Sequence, residues 1–433
     1  MRIILLSYLF VITVGTILLA LPQSRLVDIS FIDLLFTSTS CTCVTGLMVV
    51  PISSFTNFGK VVLLCLIQLG GIGLLTLSLF FISLFLNLGM AAQMMAGEMF
   101  EFRWSRIKTF IITIVTTTFV FEAIAAAIFY PYFRKLLPAK TAIFYSIFHS
   151  VSSFCNTGLT LFEDGISPFA NSIPFLTLTA LLVFTGSIGF IVWFEVANKM
   201  KALFKKIKVP AFSLHTKIVL STTGAIIALG TALTWILEHN NSLIGKTFSK
   251  GIFISFFNTI SLRSAGFELF DVNQLMPATI LLFIILMYIG GSPGSIAGGI
   301  KTTTFAIFVT TMATIVRNRD EVEIFGRRIP KSQVYKAISI IVLSIAWLFI
   351  TTFFLLILET GLNFIQAFFE VISAFCLCGL RTKIAASFSI SGKTLLILTM
   401  LIGRIGTLTF IFSLRKIKKK ELYHYPEEQI VIG

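Results

Sequence analysis

Long and short apolar runs alternate along this chain in a regular order. Eight long stretches lie at roughly 3–21, 61–88, 107–130, 173–197, 216–237, 277–315, 336–358 and 393–413. Each holds enough apolar residues to cross a hydrocarbon core about 30 Å thick as a helix. Between the members of each pair lies a shorter apolar segment, at about 31–43, 141–155, 248–262 and 364–378. These segments are too short to span and suit a half-helix that enters the bilayer and turns back. The runs are continuous rather than alternating, so the pattern predicts helices and not a barrel.

Each short segment leads into a loop that ends in glycine and a large apolar residue. The loops read Cys41-Thr42-Cys43-Val44-Thr45-Gly46-Leu47, Ser153-Phe154-Cys155-Asn156-Thr157-Gly158-Leu159, Ser261-Leu262-Arg263-Ser264-Ala265-Gly266-Phe267 and Ala374-Phe375-Cys376-Leu377-Cys378-Gly379-Leu380. Their glycines recur at intervals of about 110 residues, and a fixed internal period marks a repeat architecture. The predicted fold is an all-α integral membrane protein. It has four tandem helix–pore-loop–helix repeats, with eight transmembrane helices and four re-entrant half-helices around a central pore. The repeats fall at 1–90, 105–200, 213–316 and 334–414, followed by a cytoplasmic tail at 415–433.

Composition supports the membrane reading. Of 433 residues, 56% are hydrophobic and only 12% charged, against about 25% charged in soluble proteins. The mean hydropathy is +0.95. The net charge of +15 is not a nucleic-acid signature, because of where the basic residues lie. They crowd alternate connections (Lys199 to Lys208, Arg317 to Lys336) and the C-terminal end (Arg415 to Lys420). Lys and Arg excess marks the cytoplasmic side, which puts both termini in the cytoplasm and the half-helices entering from outside. The run from Ile3 to Leu21 resembles a secretory leader. It is long, however, and Leu18 is a poor cleavage residue, so it reads as the first transmembrane helix.

Irregular backbone survives at membrane depth only where it is buried in protein or lines water. A loop after a half-helix can turn its carbonyls inward to replace the hydration shell of an alkali cation, with the negative end of the half-helix aimed at the ion. The coordinating backbone is assigned to Val44, Thr45 and Gly46; Asn156, Thr157 and Gly158; Ser264, Ala265 and Gly266; and Leu377, Cys378 and Gly379. A neutral carbonyl ring suits K+, with Na+ as the alternative cargo. Glu163, Asp164, Glu268 and Asp271 follow two of the loops, either to concentrate cations at the mouth or as solvated loop charges.

The sixth stretch carries a second feature. Residues 290–299 are Gly, Ser or Pro except for Ile296 and Ala297, and no straight helix survives that. Gly290, Gly291, Ser292, Pro293, Gly294, Ser295, Gly298 and Gly299 are expected to form a loop facing the pore, a gate or else a packing kink. Arg404 lies inside an apolar stretch, where a charge costs about 2.5–3.5 kcal/mol and faces a cavity. It is placed to oppose a dwelling cation and to pair with the loop. Lys301 is either a second pore-side charge or a side chain reaching the cytoplasmic surface. His149 reads as packing. Glu122 and Glu195 have no assigned role. The six cysteines lack metal-site spacing, and the chain has only four histidines and no His-Glu-x-x-His, so the reading is not an enzyme.

These motifs resemble the membrane subunit of the Ktr/Trk/HKT superfamily of potassium transporters, the Ktr type most closely. Gln68-Leu69-Gly70-Gly71-Ile72-Gly73, the segment 290–304, Gly403-Arg404-Ile405-Gly406 and the tail from Tyr425 to Gly433 carry the resemblance, which covers essentially the whole chain. It implies a potassium-uptake pore gated by the intramembrane loop, with Arg404 beside that gate. It further implies a homodimer in the bacterial plasma membrane, seated on a cytoplasmic ring of nucleotide-binding regulator subunits. No nucleotide motif occurs in this chain, so nucleotide sensing would lie in that partner. The family has arginine at Arg263, for which an ion pair is expected. Cys155, Cys376, Leu377 and Arg381 depart from the family pattern. The alternative within transport is a sodium-preferring or poorly selective uniporter. In the family, serine at the first filter position accompanies sodium preference, whereas this chain has Gly46.

Overall fold

A computed structural model of the chain describes residues 2–73, 107–204, 206, 211–380, 384–407 and 410. Its helices are α1 (Arg2–Ala20), α2 (Phe31–Cys43), α3 (Asn57–Ile72), α4 (Ile107–Arg134), α5 (Ala139–Phe154), α6 (Ile173–Ser187), α7 (Phe190–Phe204), α8 (Leu214–Glu238), α9 (Phe248–Ser261), α10 (Pro277–Tyr288), α11 (Thr302–Val316), α12 (Lys331–Leu358), α13 (Phe364–Cys376) and α14 (Ile390–Ile405). A small antiparallel hairpin pairs Glu323 with Arg328 and Ile324 with Arg327, inside one of the basic connections. The expected tail at 415–433 and Arg381 lie outside the described residues.

The short helices α2, α5, α9 and α13 follow the sequence segments closely. Ser30 accepts from the Asp33 amide at 3.3 Å ahead of α2, and Asn363 with Gln366 forms a capping box ahead of α13. Their C-terminal halves are buried. In α2 every residue from Phe36 to Cys43 is buried, although five are threonine or serine. Such helices cannot stand at a lipid surface, and longer helices enclose them. Of these, Ile112–Arg134, Leu214–Glu238 and Lys331–Leu358 are long and apolar enough to cross a membrane. Their outer faces carry exposed apolar side chains such as Phe119, Leu229 and Phe353, the surface a hydrocarbon solvent requires.

Among the described residues, two of the long stretches are divided into separate helices. The one at 277–315 gives α10 and α11 with an irregular loop at 289–301 between them. The one at 173–197, read from the sequence as continuous, is divided into α6 and α7, bent by 102°. The break falls at Gly189, whose φ of 94° is open to glycine and strained for other residues.

The last described helix packs against the first short one. Lys393 on α14 donates to Asp33 on α2 at 2.7 Å, with side chains only 11% and 19% exposed. This pair joins the two ends of the chain. Lys393→Met is expected to destabilise the protein by about 2 kcal/mol, because the partly buried Asp33 loses its ion-pair partner and keeps, among the described residues, only the Ser30 hydroxyl. The check is the melting temperature in detergent, part of which Asp33→Asn should restore in the double variant.

Candidate ion pathway

The four glycine loops repeat one backbone signature. The residue two before each glycine has positive φ: Val44 at 62°, Asn156 at 58°, Ser264 at 89° and Leu377 at 55°. The glycines do too, with Gly46 at 83°, Gly158 at 68°, Gly266 at 68° and Gly379 at 83°. Two left-handed residues separated by one other turn a chain sharply at the end of a helix. The backbone amide before the glycine folds back on the helix: Thr45 to Ser40 O at 2.7 Å, Thr157 to Ser152 O at 2.8 Å and Cys378 to Ser373 O at 3.0 Å. In the third loop Ala265 and Gly266 both bond Ser261 O.

The loops contact one another in cyclic order. A β-carbon on Gly46 would meet the Thr157 carbonyl oxygen; on Gly158, that of Ala265; on Gly266, that of Cys378; and on Gly379, that of Thr45. Each glycine α-carbon therefore lies against the carbonyl preceding the glycine of the next loop, and the fourth closes on the first. The helix ends α2, α5, α9 and α13 converge on this ring. Nearby, the buried hydroxyls of Ser40, Thr42, Thr45, Ser152, Ser153 and Thr157 have no hydrogen-bond partner among the described residues. Buried polar groups normally have one.

On one side the ring opens into a cavity of about 510 Å³, lined by all four glycines together with Glu163, Asp164, Glu268 and Asp271. The sequence-predicted acidic residues and loops thus share one chamber, with the acids along its wall. Such a chamber raises local cation concentration.

On the other side lies the 289–301 loop. A short parallel bridge pairs Ile289 with Ile300 and ties its two ends together. Its middle docks into the break between α6 and α7: Ser292 N–H donates to Ser187 O at 3.0 Å, Ile296 N–H to Gly186 O at 3.2 Å, and Phe190 N–H to Gly294 O at 3.0 Å. A β-carbon on Gly298 would come within 2.5 Å of Cys376 O, so the loop is pressed against the underside of the fourth glycine loop. Arg404 binds it from α14, with Nη1 donating to Ile296 O at 2.5 Å, Nη2 to Gly70 O and Nε to the Tyr8 hydroxyl at 3.2 Å. Lys301 does not extend away from the loop. Its ammonium turns back to Ala297 O at 2.5 Å. The Arg263 guanidinium, for which an ion pair was expected, donates among the described residues to Gly290 O at 3.1 Å and Thr223 Oγ1 at 3.4 Å.

The docking break at 186–190 was missed in the sequence, although a signal was there. Gly186-Ser187-Ile188-Gly189 has the same form as Gly70-Gly71-Ile72-Gly73 and Gly403-Arg404-Ile405-Gly406. All three last glycines have positive φ, at 86°, 94° and 88° for Gly73, Gly189 and Gly406. The first glycine of each motif lies against the carbonyl four residues before its own loop glycine: Gly70 on Thr42 O, Gly186 on Phe154 O and Gly403 on Phe375 O. His149 packs, with its ring centroid 4.7 Å from Phe129 and 5.0 Å from Phe175, and Nε2 is 3.1 Å from Thr179 Oγ1. Glu122 lies behind the second loop, where both carboxylate oxygens accept from Gln68 Nε2 at 3.1 and 3.0 Å.

Four short helices end at a closed ring of glycine loops, with an acidic chamber on one face and a loop held by the half-buried Arg404 on the other. The model of the TrkH family, described as cation transport proteins, matches residues 3–424, and the chain belongs to that family. It is a membrane cation transporter rather than an enzyme. Ktr system potassium uptake protein B of Vibrio alginolyticus is 37% identical over all of this chain and 94% of its own length. The protein of that name in Bacillus subtilis is 33% identical over all of this chain and 96% of its own length. Potassium/sodium uptake protein NtpJ of Enterococcus hirae is also 33% identical, over 93% of this chain and 90% of its own length. The crystal structure of the potassium transporter TrkH from Vibrio parahaemolyticus shares the fold, with a TM-score of 0.74 and 18% identity over 94% of this chain and 84% of that one.

Proposed function

We propose that the chain is the pore-forming membrane subunit of a potassium uptake system. Four helix–pore-loop–helix repeats, with eight transmembrane helices in all, surround one pore. K+ passes through a filter built from the backbone of Val44–Gly46, Asn156–Gly158, Ser264–Gly266 and Leu377–Gly379. Residues 290–299 with Lys301 and Arg404 form the gate below it. The carrying observation is the cyclic contact of the four loops, each glycine on the next loop's carbonyl. A ring of neutral carbonyls replaces the weak hydration of K+ at lower cost than the stronger hydration of Na+. The relatives named Ktr system potassium uptake protein B support the same cargo.

In this reading the protein is a homodimer in a bacterial plasma membrane, with both termini cytoplasmic. A nucleotide-binding regulator ring docks on its basic connections and tail, and no nucleotide binds this chain. The test is flux into liposomes holding the purified protein, with Rb+ as tracer and Na+ as competitor. Rb+ uptake that a tenfold Na+ excess leaves largely intact is the expected result; equal Rb+ and Na+ permeation refutes the potassium assignment. A sodium-passing uniporter is the second reading, favoured by the resemblance to a protein named potassium/sodium uptake protein.

A further inference from the structure

Among the described residues, Ser264 is the one in the ring whose side chain bonds both a neighbouring glycine loop and the loop beneath. Its hydroxyl accepts from the Gly298 N–H at 2.8 Å and donates to the Leu377 carbonyl at 2.9 Å. The residue is 2% exposed and is held at φ 89°, a conformation a serine adopts only under constraint. The corresponding positions in the other three loops are Val44, Asn156 and Leu377, none of which carries a hydroxyl.

The neighbours of Ser264 make the same connections. Arg263 donates to Gly290 O at 3.1 Å, at the other end of the lower loop, and the Cys378 thiol lies 3.3 Å from Leu262 O. Gly290 and Gly298 in turn lie face to face, since a β-carbon on Gly290 would strike the Gly298 carbonyl. Residues 262–264 therefore join both ends of the 289–301 loop to the third and fourth walls of the ring.

We infer that Ser264 is a positioning residue through which the 289–301 loop sets the geometry of the carbonyl ring, so that opening the loop loosens ion discrimination. The hydroxyl is a donor and an acceptor at once. While the loop is docked, the Gly298 amide occupies one of its two lone pairs and its proton is directed at Leu377 O. When the loop leaves, the orienting amide leaves with it, the hydroxyl is free to rotate, and the Leu377 carbonyl loses its fixed donor. The fourth wall then relaxes, and a looser carbonyl ring accommodates the smaller Na+ more readily. This rests on the filter and gate assignments proposed above.

The experiment measures Rb+ over Na+ preference by tracer flux in liposomes for the full chain and three variants. Ser264→Ala removes the hydroxyl. Ser264→Gly removes it and also relieves the backbone constraint. Ser264→Thr keeps it. The expected result is a preference about tenfold lower in the Ala and Gly variants alike and restored in the Thr variant. In an Arg404→Gln background, which frees the loop, Ser264→Ala should lower the preference little further. Wild-type preference in the Ala variant would overturn the inference. So would a wild-type Gly variant beside a defective Ala variant, which assigns the effect to backbone strain. Thermal melting in detergent verifies folding in each case. Gly46→Ser separates the two levels of the argument: if it leaves the preference unchanged, the filter assignment itself fails. If it alters the preference while Ser264→Ala does not, only the coupling fails.

Discussion

Gly158→Ala is expected to abolish Rb+ uptake while leaving the protein folded and inserted. Gly158 has φ 68° and its added β-carbon would lie 1.8 Å from the Ala265 carbonyl oxygen of the next loop. The left-handed conformation costs an alanine about 1–2 kcal/mol. The collision adds more, because the obstacle is backbone and cannot rotate away. The fold itself rests on helices elsewhere, so the displacement falls on the carbonyl ring, and flux should drop at least about 100-fold, equivalent to roughly 2.7 kcal/mol. Gly245→Ala is the control, since Gly245 has φ 76° with no heavy atom near its β-position. It carries the same conformational cost without the collision and should keep flux within about twofold. Equal losses in both variants, measured as initial Rb+ uptake per unit of reconstituted protein, would remove the carbonyl ring from the explanation.

The second large effect concerns the arginine under the ring. Arg404 makes three bonds that converge on one guanidinium: to Ile296 O in the loop, Gly70 O in α3 and the Tyr8 hydroxyl in α1. Hydrogen bonds from a charged donor contribute about 1.5–3 kcal/mol each. Losing the one to Ile296 shifts the docked–undocked balance of the loop by about tenfold or more. The charge also repels any cation below the ring. Both effects act in one direction, so Arg404→Gln should raise Rb+ flux through the isolated chain about tenfold. Unchanged or slower flux, in a variant that melts like the parent, would show that the loop is not held shut by this residue.

Different parts of this structure were legible to different degrees. The four short helices and their loops were readable because two signals coincide. A bilayer of fixed thickness separates spanning from non-spanning lengths, and the glycine period marks equivalent points in each unit. The acidic residues at 163, 164, 268 and 271 were readable as a set because they follow the loops directly, and they line the same chamber as the glycines. The interruption at 290–299 was visible in its glycines. The break at Gly189 was not, because Gly186-Ser187-Ile188-Gly189 sits in an otherwise continuous apolar run and weighs little in a hydropathy pattern. Aligned with the motifs at 70–73 and 403–406, it reads as the third copy. Lys301 shows the opposite limit. Its position beside the loop was plain, but its return to Ala297 O depends on where the chain folds.

By itself, then, the sequence determined a helical membrane protein with four glycine loops at a regular period, and a loop and an arginine set apart within apolar stretches. Those features are local: they follow from side-chain hydropathy, charge and conformational freedom, each legible within a few residues. Only the tertiary structure decided that the glycine loops neighbour one another in cyclic order. It alone decided that the 289–301 loop docks in the Gly189 break and hangs from Ser264, Arg263 and Arg404. These contacts join residues far apart along the chain, and most of them run through backbone amides and carbonyls. Nearly every residue carries those groups, so they leave no mark in the pattern of side chains.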